Sequence, residues 1–414
     1  MLLVCEITRG QVSADSITVA ETRQLLSWLA ANERKGRANY SMEQLQVAAF
    51  LADYFKQCGL KPFSATGDYF QAFAPSDRPV KGPLQMRDLL WNGKRVQQAQ
   101  FYTNDQLPLD LDSVMQQYLL LRMDRPGVID SLENSMGTET PMLLWWPVET
   151  SLAALDTDTL RELARLNPAP VLMVADPQPP ASVRLLGNRD YIGSVLHNVI
   201  AILPGRSRRD EAVIFSAHYD HIGTDLRSGR QGLFNGANDN ASGVTAVLQL
   251  AKYYAMQGPQ ERTLIFICFA GEELGMLGSK ALASTVSPAE ITAVVNVEMI
   301  AQHGAVGKLA FFVTGPDKST LPEIMARSLL GTGIRVYPDP GRGNMLFERS
   351  DNFPFFEKGI PAHSIMCSDD SDPCYHLPCD DVKGVDIANM NLVIRSIPVA
   401  VASIVQGRDR PQLK

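Results

Sequence analysis

Short apolar runs alternate with segments whose apolar residues recur every three or four positions, and beyond residue 198 the alternation becomes regular. Asn198-Val199-Ile200-Ala201-Ile202-Leu203, followed by Pro204-Gly205, reads as a strand closed by a turn. Further strands are predicted over 212–215, 263–269, 291–297 and 309–313. Helices are predicted after Ser242, where Val244, Val247, Leu248, Leu250 and Ala251 share a face, and over 277–284. Strands and helices taking turns in this way predict an α/β fold: a mostly parallel (mixed) sheet with helices on both faces. Upstream, Leu25, Leu26, Leu29 and Ala30 mark one helix, and Leu45, Ala48, Ala49, Ala52 and Phe55 mark a second. Ser41 ahead of Met42-Glu43-Gln44 suggests a capping box, and Gly59 a stop. The charged stretch Glu33-Arg34-Lys35-Gly36-Arg37 is the turn between them, and 69–73 a strand leaving this layer.

Between 76 and 189 the texture changes. Prolines are frequent, the apolar runs at 119–121, 143–146 and 171–174 are short, Asn92-Gly93 marks a tight turn, and no histidine occurs. This stretch is expected to be an inserted, smaller mixed α/β or β-rich subdomain, with Trp91, Trp145 and Trp146 in its core. The main domain is then built from 19–75 and 190–414, preceded by a tail over 1–18.

Composition narrows the partners. With 414 residues the chain has room for a substantial core, and a formal net charge of −7 argues against nucleic acid or an anionic membrane as the main partner. No apolar run approaches the roughly 18 residues of a membrane span. The start, MLLVCEITRG, lacks a basic region and has too short an apolar stretch for a complete signal peptide, so it reads as a tail. Cys374 and Cys379 lie close enough to pair, and free thiols remain the other reading. A disulfide there favours an exported protein, whether periplasmic, membrane-anchored or secreted.

The candidate chemistry gathers where strands end. His218, Asp220 and His221 follow the run at 212–215. Asp239 sits in Asn238-Asp239-Asn240 between Gly236 and Gly243, Glu272-Glu273 follows the run at 263–269, and Glu298 follows 291–297. His376 lies in the polar segment Tyr375-His376-Leu377-Pro378-Cys379-Asp380. Ligands in open α/β sheets sit outside the carboxyl ends of the strands. Two imidazoles and three carboxylates collected there form an N/O set suited to zinc, and one shared carboxylate suits two ions. Adjacent carboxylates such as Glu272 and Glu273 need not point the same way, so one can bind metal while its neighbour stays free as a base. On an extended chain His218 and Asp220 share a face, which would let the Asp220 carboxylate accept the second ring N–H of the imidazole. His221 reads more readily as a structural neighbour than as a third histidine ligand. His197, His303 and His363 read as structural.

HYDHIG, GANDNASG, GEELG, NVEMI and YHLPCDD, in this order, resemble the M28 family of zinc peptidases, the co-catalytic aminopeptidase group. The resemblance covers 198 to about 381, with GRANYS and GIPA as weaker echoes. It implies a zinc-exopeptidase-like fold and two Zn2+ per chain bridged by Asp239. His218 and Glu298 would complete one site, and Glu273 and His376 the other. It further implies that Glu272 is the general base toward a metal-bridging water, that Tyr375 polarises the carbonyl oxygen, and that Asp239-Asn240 is a cis peptide. Glu298 departs from the family, many members of which carry Asp there, so its ion would be held differently. The inserted subdomain takes the place of a protease-associated or apical subdomain, as a binding lid or a passive lobe.

The implied activity is that of a zinc-dependent aminopeptidase removing N-terminal residues from peptides. Rival readings are a carboxypeptidase using Arg342 or Arg349 for the terminal carboxylate, a one-zinc glutaminyl cyclase, and a receptor-like binding module that has lost the reaction.

Overall fold

The computed structural model describes residues 14–64, 67–74, 85–92, 94–96, 99–102, 119–124, 142–147, 171–180, 183–188, 195–225, 232–340 and 346–414. The chain divides into two compact units. One comprises Met1–Asp77, Val195–Thr224 and Gly232–Lys414, the other Arg78–Ser194 and Asp225–Gln231.

The first unit is built on a nine-stranded sheet. Its middle is parallel: Arg208–His218 lies between Arg262–Phe269 and Ile291–Glu298, and Ala362–Met366 continues the order on the far side of Ile291–Glu298. The flanks turn antiparallel, Leu196–Leu203 against Arg262–Phe269 and Ala310–Val313 against Ala362–Met366. Strands buried on both faces read as nearly continuous apolar runs, which is why 212–215 and 291–297 stood out, the second interrupted only by Thr292 and Asn296.

The period of two sorts those runs onto two helical layers. On one face Ile214, Ile267, Phe269 and Val294 pack with Leu282 and Phe355. On the other, Phe215 and Phe266 stack with Tyr254 from the helix Ser242–Gln257, with centroids 5.6 Å apart for Phe215–Tyr254 and for Phe215–Phe266. Each fully buried side chain of this kind stabilises the fold by roughly 1.5–3 kcal/mol.

Two N-terminal helices, Val19–Leu29 and Met42–Gln57, start on side-chain caps. Thr18 accepts from the Glu21 N–H and Ser41 from the Gln44 N–H. The capping box expected at Ser41 is half formed, because the Gln44 side chain turns away to Asn39 and to the N–H of Tyr40. Sequence periodicity did not announce the strand Ala362–Met366 or the helix Ile387–Ala400. The first is hidden by His363 and Ser364 in its middle, the second by Pro398 within its span.

In the second unit, Met142–Trp146 pairs in parallel with both Leu119–Arg122 and Val171–Ala175. Trp145 and Trp146 are buried there. A separate antiparallel set joins Gln85–Trp91 to Lys94–Val96 and Val183–Asn188. Among the described residues no helix is long and apolar enough to cross a membrane.

Candidate metal centre

The parallel strands end side by side, and the register fixes what they deliver. His218 is level with Phe269, so Gly271-Glu272-Glu273 follows immediately beyond it, and Glu298 is level with Met366. The fourth contribution is the turn ahead of the helix Ser242–Gln257. That helix runs so close to the sheet that a Cβ on Gly243 would stand 2.2 Å from the Val297 carbonyl oxygen. The preceding turn bends at Gly236, φ 58°, and contains a cis Asp239–Asn240 peptide, as the family resemblance implied. Asn240 locks the turn to the sheet by donating to the Val297 carbonyl while its own oxygen accepts from the N–H of Gly243. Asp380 accepts from the N–H groups of Asn238 and Asp239, an anchor to which sequence reasoning assigned no role. Burial pushes the Asp380 carboxyl up to about 6.

Asp239 is thereby held with its two oxygens facing opposite ways. Oδ1 lies 3.3 Å from His218 Nε2, and that nitrogen lies 3.3 Å from Glu298 Oε1. Oδ2 lies 3.1 Å from His376 Nε2, and that nitrogen lies 3.3 Å from Glu273 Oε2. All five side chains named from the sequence therefore converge, as two groups sharing one carboxylate, and the group around His376 also takes in His221. Two atoms bound tetrahedrally to zinc at ~2.0–2.1 Å are about 3.3 Å apart, so the four spacings fit coordination edges. The donor set fits too, since three carboxylates gathered around two imidazoles, Asp239 and Glu298 buried and Glu273 partly so, concentrate negative charge that cations relieve.

His221 departs from that spacing. Its Nδ1 is 2.7 Å from Glu273 Oε1, a hydrogen-bond distance, and 3.9 Å from Asp239 Oδ2. The imidazole thus holds one oxygen of Glu273 while the other faces His376. Glu298 is held in a comparable way, with the Ser350 hydroxyl donating to its Oε2 at 3.0 Å.

Asp220 lies where expected but acts differently. Nδ1 of His218 meets the backbone carbonyl of Asp220 at 3.1 Å, and the nearer carboxylate oxygen is 3.7 Å away. The strand ends at His218, so the period-two alternation stops before it reaches Asp220. The buried carboxylate instead accepts from the N–H groups of Glu272 and Glu273, at 3.2 Å each, and from the Asn39 amide at 2.6 Å.

Glu272 stays outside both groups, with Oε2 3.9 Å from His218 Nε2. Burial, reinforced by the charges of Glu273, Asp351 and Glu298 against the opposing pull of His218, pushes its carboxyl well above the usual range. Burial also lifts Asp351, to about 7. Burial would depress the imidazoles of His218 and His376, but the carboxylates overrule it. His218 is pushed well up, and His376 to about 10. Glu273 is held at about 2 because its partners His221 and His376 outweigh burial and the charge of Asp239.

The loop carrying His376 is closed by a Cys374–Cys379 disulfide. Tyr375 stacks on the His376 ring with centroids 3.9 Å apart, and burial pushes its hydroxyl pKa upward, so the phenol keeps its proton. His218, Asp239, Glu272, Glu298, Tyr375 and His376 line one cleft, walled further by Met299, Leu346, Met366, Arg349 and Asp370. Arg349 is paired with Asp370 at 2.7 Å. Arg342 lies outside the described residues.

Sequence reasoning also missed Arg37, which is fully buried. Its guanidinium donates to the carbonyls of Leu29, Tyr219, Asn235 and Gly236, at 2.7–3.0 Å, and so ties the His218 strand exit to the Asp239 turn. Burial pushes this guanidinium down to about 10 against the opposing pull of Asp380, Asp239, Asp220 and Glu273. The only signal in the sequence was the GRANYS echo.

Residues 198–398 match the model of peptidase family M28. Over 128 residues, 31% of this chain, the sequence is 34% identical to a probable zinc metalloprotease of Pyricularia oryzae. Over 91 residues, 21% of this chain, it is 41% identical to leucine aminopeptidase 1 of Trichophyton rubrum. The chain spans 24% and 23% of the length of these curated relatives. A zinc aminopeptidase from Bacillus subtilis shares the fold, with a TM-score of 0.63 at 17% identity, covering 95% of this chain and 97% of that one.

Proposed function

We propose that this chain is a zinc-dependent aminopeptidase of peptidase family M28 that holds two Zn2+ per chain and removes N-terminal residues from peptides. The carrying observation is Asp239, whose two oxygens face His218 and His376 at coordination spacing. His218, Asp239 and Glu298 would hold one ion, and Asp239, Glu273 and His376 the other. Zinc there would supply Lewis acidity, lowering the pKa of a water and polarising the scissile carbonyl.

The chain's own groups do the rest. Glu272, free of both sets, takes the proton from the attacking water and passes it to the leaving amine. Tyr375, protonated and beside His376, donates to the carbonyl oxygen as negative charge develops on it. Of the acids lining the cleft, Asp239 and Glu298 would hold the ions and Asp370 is paired with Arg349, which leaves Glu272 as the carboxylate outside those pairings. With Arg349 already neutralised and Glu272 within the cleft, a substrate's free ammonium is favoured over a terminal carboxylate, and so an aminopeptidase over a carboxypeptidase. Two ion groups and a free base likewise favour this reading over a one-zinc cyclase or an inactive receptor-like module. We also propose that the protein is exported, supported by the disulfide beside His376.

The test pairs a zinc count on purified protein with hydrolysis of aminoacyl chromogenic substrates, each with a free or an acetylated amine. Two zincs and cleavage confined to the free amine are expected. Glu272→Gln should keep the zinc while kcat falls by ~10²–10⁴. One zinc or none, or equal cleavage of the acetylated substrate, overturns the assignment.

A further inference from the structure

We propose that Asn39, contributed by the N-terminal segment some 180 residues from the nearest metal-centre residue, is a positioning residue that acts on Glu272 and Glu273 through Asp220. The inference rests on the reading of Glu272 as the base and Glu273 as a zinc ligand.

Glu272 and Glu273 lie in a turn that leaves the strand at Gly271, and their N–H groups point at the two oxygens of Asp220. The base and a ligand of one site are therefore placed by one carboxylate. Asp220 is in turn held by the Asn39 amide, whose Nδ2 donates to Oδ2 at 2.6 Å. The Asn39 amide has a fixed sense, because its own oxygen accepts from Gln44 Nε2 at 2.7 Å. Gln44 is pinned at both ends of this link: its Oε1 accepts from the N–H of Tyr40 and its backbone N–H donates to the Ser41 cap. Asn39, Gln44 and Asp220 are all buried, so water does not replace these bonds if one is removed. Beside them Arg37 clamps the same segment to Tyr219 and Gly236. The start of the second helix thus reaches the catalytic turn through three consecutive hydrogen-bonded side chains. Outer partners of this kind typically change metal affinity or activity by ~10–100-fold when removed.

Asn39→Ala in the full chain is the test. It is read by kcat and KM on an aminoacyl chromogenic substrate, the rate of zinc loss to a chelator, and the thermal midpoint. The expected result is a fall in kcat of ~10–100-fold with KM within about twofold, and faster zinc loss. A purely structural Asn39 would lower the midpoint and leave kcat and zinc release within about twofold of the parent, which overturns the proposal. If Asn39→Ala does not fold, Gln44→Ala, which releases Asn39 without removing it, is expected to move kcat and zinc release the same way by less. Parental values there overturn the proposal as well. A parent that binds zinc but cleaves none of the substrates fails the aminopeptidase reading instead, and the zinc-release comparison still decides the role of Asn39.

Discussion

Asp239 gives one carboxylate oxygen to the neighbourhood of His218 and the other to that of His376, at 3.3 and 3.1 Å. The two halves of the centre are therefore not independent. Removing Glu273 should empty one half, whereas removing Asp239 should weaken both. Asp239→Ala is expected to lose both zincs on dialysis and to drop activity by more than the ~10–100-fold typical of outer partners. Glu273→Ala should retain close to one zinc per chain. Metal analysis of the two variants side by side checks this, and equal zinc loss in both would contradict a bridging Asp239.

His221 and His376 flank the same carboxylate, yet only His376 lies at the separation of two ligands on one ion. The 2.7 Å contact from His221 to Glu273 is a hydrogen bond, which orients a ligand and leaves the coordination number alone. His221→Ala is therefore expected to weaken zinc in the His376 half by ~10–100-fold without removing a ligand. X-ray absorption of the fully loaded protein should show about one imidazole per zinc, from His218 and His376 shared over two ions. About three imidazoles for every two zincs would make His221 a ligand and refute the distance argument.

Much of this centre was legible because its residues follow apolar runs. A buried strand is easy to see, and the polar residue that ends it is easy to suspect, so strand ends pointed to His218, the Glu272-Glu273 pair and Glu298, while the choice of Glu273 over Glu272 as the metal-facing carboxylate came from the family motif. Asp239 was marked by the glycines around it, one of which, Gly243, tolerates no side chain. His376 follows no such run, and its place rested on the family motif. What stayed hidden is contact at long sequence separation. Arg37 and Asn39 lie in a short charged and polar stretch with no periodicity, and their partners Tyr219 and Asp220 lie more than 180 residues later. Asp220 shows the converse. Its offset from His218 was read as continuing a strand, but the strand stops, and the carboxylate turns to the Glu272–Glu273 backbone while the carbonyl meets the histidine.

One pH effect lies away from the metals. His363 is buried in the strand Ala362–Met366, with Nδ1 donating to the Thr314 carbonyl at 2.7 Å and Nε2 accepting from the Ser319 hydroxyl at 2.6 Å. Both bonds suit the neutral ring. Burial lowers the imidazole from its ordinary 6.5 to about 4, outweighing the bond to Thr314. Above pH 6.5 neither the folded nor the unfolded form carries this proton, and the full stability is present. Between 6.5 and 4 the unfolded form takes up the proton and the folded form does not, so stability falls with pH, by about 3 kcal/mol in total from this group. His363→Gln removes the titration while keeping an amide that can reach similar partners. The gap in thermal midpoint between parent and variant is therefore expected to shift steadily in favour of the variant as pH falls from 7 to 4. Melts at several pH values measure it, and because other titrating groups are common to both proteins, parallel curves would show that the His363 pKa is not depressed in the fold.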